Sequence, residues 1–163
     1  MKTKLFFLSL FVALVLNACK SNEPDMNAPL PAPSINTGIY GTVIERYGNW
    51  MPLWDPNDTT RGERPIVREI YVYEYTMYQE IEGVHYSPYY SIDEMPHRLV
   101  AKTKSEANGF YEMELEPATY SVFLLEDGQL YANGCDGYGG INPVTVIADS
   151  ALYVPLVLDN AVY

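Results

Sequence analysis

Residues able to do acid–base or nucleophilic chemistry are few in this chain. His85 and His97 are its only imidazoles, and Cys19 and Cys135 its only thiols. An imidazole acts as a catalytic base only with a nucleophile or metal in reach, and no G-x-S-x-G, H-E-x-x-H or paired-cysteine motif occurs. His85 lies within the segment 79–96 and His97 directly follows it, where exposed loop positions account for them. Cys135 sits in Asn133-Gly134-Cys135-Asp136-Gly137-Tyr138-Gly139-Gly140. No lysine or helical pattern follows, so these glycines read as a tight irregular loop rather than a phosphate cradle. With Cys19 committed elsewhere, Cys135 has no intramolecular partner; it is then either buried or a route to dimers. Asp55-Pro56-Asn57-Asp58-Thr59 alternates oxygen ligands like a calcium loop, but Gly62 and Glu63 fall at the wrong steps. A turn begun by Asp-Pro is the simpler account. No metal or cofactor is expected.

The aromatic residues are the better lead. Trp50 and Trp54 fall in one long connection, and Tyr86, Tyr89 and Tyr90 in another. Large rings in loops need a reason. They form either a recognition surface for a protein or glycan, or lids that fold back over the ends of the domain.

The rest of the chain must position those residues. It has 163 residues, 21 acidic and 10 basic, for a net charge of −11. That length fits one domain. The acidity excludes a nucleic-acid binder, which needs Lys/Arg stripes to replace counterions. The hydrophobic fraction of 48% is normal for a globular protein.

From Gly38 onward no helix is expected. Apolar residues recur with period 2 or in short runs between turn residues. Strands are expected at 39–46, 67–78, 98–104, 110–115, 119–125, 130–132, 143–147 and 152–158. In the second of these, Tyr71, Tyr73, Tyr75 and Met77 share one face, and Ile70, Val72, Glu74 and Thr76 the other. The run at 119–125 is nearly all apolar, so it should be central. Asn108-Gly109 and Asp127-Gly128 supply positive-φ hairpin turns, and Pro117 presets another turn. About eight short strands without helix mean a sandwich or barrel.

The N-terminus has a separate logic. Lys2 and Lys4 precede an apolar run from Leu5 to Leu16, followed by Asn17, Ala18 and Cys19. That run is too short to span a bilayer comfortably and right for a signal peptide. The segment resembles a bacterial lipoprotein signal. The resemblance implies cleavage after residue 18, lipidation of Cys19 and attachment to the cell envelope, most readily the outer membrane. Residues 19–37 then form the lipidated cysteine and a tether carrying Pro24, Pro29, Pro31 and Pro33. Glu23 and Asp25 after the cysteine are similar to the surface-export signals of Bacteroidota lipoproteins; a merely soluble tether fits equally, and the membrane face stays open.

Residues 38–163 resemble carboxypeptidase-regulatory-like domains. The likeness is carried by Asn108, Gly109, Phe110, the alternating Tyr111 to Leu115, Pro117, Thr119 and Tyr120, with Gly38 to Val43 as an opening strand. It implies a transthyretin-like Greek-key β-sandwich of seven or eight strands, with 50–65 and 79–96 as insertions. Members of this group are mostly non-catalytic interaction modules. The hydroxyisourate hydrolase branch ends in Tyr-Arg-Gly-Ser, whereas this chain ends Leu158-Asp159-Asn160-Ala161-Val162-Tyr163, so that activity is not implied. The expected role is non-enzymatic binding or assembly. A glycan-binding accessory lipoprotein using the loop aromatics is one rival. An envelope hydrolase or metal enzyme, with His85 or His97 clustered with Cys135 or acids, is another.

Overall fold

The computed structural model describes residues 29–52, 55, 59–81 and 87–163. The expected signal peptide, Cys19 and the expected tether up to residue 28 lie outside them, as do Trp54, His85 and Tyr86. The body is all-β, two packed sheets with two single turns of 3-10 helix at Tyr78–Glu80 and Ile92–Glu94.

The first sheet is built on β1 (Gly38–Asn49). Its inward positions Ile39 and Val43 are fully buried, as period-2 patterning requires. Each half of β1 has its own neighbours. The first half pairs antiparallel with β6 (Phe110–Glu114) and parallel with β10 (Ala151–Tyr153). The second half pairs antiparallel with β2 (Gly62–Pro65) and parallel with β11 (Leu156–Val162). β10 and β11 hold one register on β1, from Gly38↔Ala151 to Val43↔Leu156. The expected strand at 152–158 is thus split by Pro155, which has no N–H to donate.

The second sheet runs β4 (Tyr89–Tyr90), β8 (Gln129–Tyr131), β7 (Thr119–Glu126), β3 (Glu69–Glu74), β5 (Leu99–Lys104), with β9 (Pro143–Thr145) beside the start of β7. The apolar run at 119–125 is central, as expected. Tyr120, Val122 and Leu124 face the core between the sheets; Phe123 faces a second core on the outer side. β3 divides likewise, with Ile70 and Val72 inward and Tyr73 outward. The second core exists because residues 75–81 and 87–96 fold back over the sheet. Tyr78, Ile81, Tyr90 and Met95 pack there with Leu130, Ala132 and Ile141.

Two expectations need correction. β3 ends at Glu74, four residues before the expected 78. Beyond it the buried Thr76 donates its N–H to Ser121 Oγ (3.0 Å), which replaces the ladder. The Asn108-Gly109 turn does not make a hairpin. Gly109 has the expected positive φ of 80°, but β5 and β6 belong to different sheets, and the turn is a corner between them. Asp127 (φ 48°) and Gly128 (φ 81°) do close a two-residue hairpin between β7 and β8.

Candidate functional site

Of the five rings expected to form either a recognition surface or lids, Trp50, Tyr89 and Tyr90 fall among the described residues, and all three are engaged in packing. Trp50 follows β1, donating its backbone N–H to Val162 O (2.8 Å) and its indole Nε1–H to Tyr47 O (3.0 Å). The guanidinium carbons of Arg46 and Arg61 lie 5.4 Å and 5.1 Å from the centre of its ring. Arg46 is itself held by Glu63 and by the Tyr163 hydroxyl. Trp50 is therefore the end-piece of a cation–π and ion-pair network. Tyr89 is half-buried, its ring 5.1 Å from that of Tyr131. Tyr90 is not on the surface: it is 2% exposed, edge-on to Phe123 at 5.8 Å and tilted against Tyr78 at 6.2 Å. Burial pushes its phenol pKa well up, and the Tyr78 hydroxyl adds to this. Tyr90 alternates with nothing polar in Tyr89-Tyr90, so period 2 could not show which ring points inward.

The titratable candidates do not assemble a catalytic set among the described residues. His97 Nε2 lies 3.1 Å from Glu80 Oε1 but off the axis of a ring N–H bond. Glu80 is committed on its other oxygen, which accepts the Met77 N–H at 2.7 Å; this bond first, and His97 second, hold its pKa below the usual carboxylate value. Glu80, Asp93, Glu94 and Pro96 line an open recess there, but no group of three metal-ligating residues is found among the described residues. Cys135 is exposed rather than buried. Its loop is shaped by Asp136, whose carboxylate accepts the N–H groups of Tyr138 (2.8 Å) and Gly140 (3.0 Å) and the Tyr75 hydroxyl (2.8 Å). Of the calcium-like run only Asp55 and Thr59 fall among the described residues.

A cleft of about 560 Å³ opens where the start of β5 diverges from the end of β6. Val100, Ala101, Leu115, Ala118 and Tyr120 give it an apolar lining; Glu74, Glu114, Glu116 and Arg98 are its charged groups. Arg98 is bound to Glu74 at 3.1 Å, which leaves the balance negative. A β-bulge makes this wall. Val72 pairs with Ala101 and Tyr73 with Leu99, so Val100 is an extra residue, and two consecutive side chains line the cleft. The opposite wall turns at Pro117, and the Tyr120 hydroxyl fixes that corner by donating to Glu116 O at 2.8 Å.

Both strands bordering the cleft have open edges. Among the described residues β6 pairs only with β1, and β5 only with β3. Val43 N donates to Gly109 O and Leu115 N to Thr37 O. These bonds fix the phase of the antiparallel ladder, in which alternate residues turn their N–H and C=O away from the partner. On β6 those residues are Glu112 and Glu114. The Glu112 side chain has a separate task. Its two oxygens accept the N–H (2.7 Å) and hydroxyl of Ser34, which ties the segment before β1 to the domain.

The sequence signals for this site were the broken alternation at Val100-Ala101 and the acidic alternation Glu112, Glu114, Glu116. The divergence of two strands from different sheets has no local signal. Comparison with family models, with curated proteins and with solved structures gives no match.

Proposed function

We propose that this protein is a non-catalytic binding or assembly module of a bacterial cell envelope, anchored by lipid on Cys19, whose body is a transthyretin-like Greek-key sandwich. The observation that carries the binding role is the cleft between β5 and β6: concave, apolar within, acidic in balance and bordered by unpaired strand edges. Concave apolar sites with a few convergent polar groups are where ligands are held. The anchor is supported by the order of positive residues, apolar run and cysteine at the N-terminus. Acidity supports it too, since a net charge of −11 gives the domain no attraction for anionic membranes, leaving attachment to acyl chains.

The test compares wild type with a Glu114→Lys/Glu116→Lys variant, both purified with their membrane partners under identical conditions. Loss of specific co-purifying proteins from the variant, at unchanged melting temperature, is the expected result. Identical partners for both would place binding elsewhere.

A further inference from the structure

We infer that the cleft takes an extended segment of a partner polypeptide, alternating apolar and basic residues, which adds as a strand to the free edge of β6. This rests on the reading of the protein as a binding module and names what it binds. Three features converge. The first is the backbone: Glu112 and Glu114 present N–H and C=O groups outward, unpaired among the described residues, which is what strand addition uses. The second is the floor. A strand laid beside β6 points every other side chain inward, over Val100, Ala101, Leu115 and Tyr120, where apolar groups belong. The third is charge. The remaining side chains of that strand point outward beside Glu114 and Glu116, where cations are favoured, Glu112 being taken by Ser34.

The two edges also differ in their protection. β5 carries Lys102, Lys104 and a bulge, the usual devices that blunt an edge against pairing. β6 carries no lysine, proline or bulge, only glutamates on its outward face. Glutamates repel another acidic chain and accept a basic one. A second copy of this protein brings a net charge of −11 with it, so the occupant is a different, basic segment. The outward groups of Phe110 are taken by Glu106 and Asn108, so the open stretch of β6, from Tyr111 to Glu114, matches a partner strand of about four or five residues.

The test uses the full-length protein and a fluorescent synthetic heptapeptide of alternating Lys and Val, read by anisotropy at physiological salt. Saturable binding is expected. It should weaken at least tenfold for Glu114→Lys/Glu116→Lys, with unchanged melting confirming that the variant is folded. It should also weaken at least tenfold for a peptide N-methylated along the bonding edge. Equal binding of a block peptide with all Lys before all Val would reduce the interaction to charge and overturn the inference. So would indifference to N-methylation, or dimerisation of the protein through β6 in sedimentation. If the heptapeptide fails while the Glu114→Lys/Glu116→Lys variant still loses its membrane partners, the binding-module reading stands and the strand-addition inference falls.

Discussion

Gly41 has no room for a β-carbon: one placed there would lie 2.2 Å from Val154 O. Pro155 interrupts the ladder, and the preceding carbonyl turns in over Gly41, where the buried Tyr111 hydroxyl donates to it at 2.6 Å. Gly41→Ala should therefore cost at least the ~1–3 kcal/mol of an overpacked core, read as a lowered denaturant midpoint. Gly109 combines φ 80° with a β-carbon position 2.5 Å from Val43 O. Gly109→Val should cost more than the ~1 kcal/mol of the left-handed backbone alone. Tyr90→Ala should lower stability by about 3–5 kcal/mol, as loss of a large core side chain does. An unchanged melting curve would return Tyr90 to the surface. Glu112 predicts a pH response. Its bonds to Ser34 hold its pKa below the ordinary value, so the contact is fully present above the unfolded carboxyl pKa of about 4.3 and is lost as pH falls through the lowered folded value. The Ser34 amide resonance should shift over that acidic window, and Glu112→Gln should flatten the response.

At the scale of elements, most strands were legible because period 2 and turn chemistry are local. Phe110–Glu114 and Thr119–Glu126 fall where alternation and Pro117 put them, and Asp127-Gly128 closes its hairpin. What failed was relational. Asn108-Gly109 has turn chemistry that serves a hairpin or a corner equally, and only the pairing of β5 with β3 and of β6 with β1 decides between them. β2 and β4, four and two residues long, were hidden in the connections 50–65 and 79–96 because each is too short to show a period. The buried pair of Thr76 and Ser121 had no signal either, since their partnership spans 45 residues. Ser121→Ala should leave the Thr76 N–H without a partner and cost about 1–3 kcal/mol, measured by chemical denaturation.

For the whole molecule, the second sheet is covered on both faces, by the first sheet and by the folded-back residues 75–81 and 87–96. Attachment is expected through Cys19: Cys19→Ser should move the protein from the membrane to the soluble fraction, and a variant still acylated and membrane-bound would refute the anchor. The clamp of Ser34 to Glu112, and of Thr37 to Leu115 and Asp149, decides how such a molecule hangs. The chain enters beside the end of β6, next to the cleft, while β1 runs 12 residues away toward Trp50 and the C-terminus. At about 3.3 Å per residue those two ends are separated by ~40 Å. Fourteen residues, 20–33, separate Cys19 from Ser34, and a chain of that length fully extended at ~3.1 Å per residue reaches about the same distance. With a lipid on Cys19, as expected, a chain that enters beside β6 would put the groove's end of the domain on the side of the anchor and the Trp50 end farthest from it.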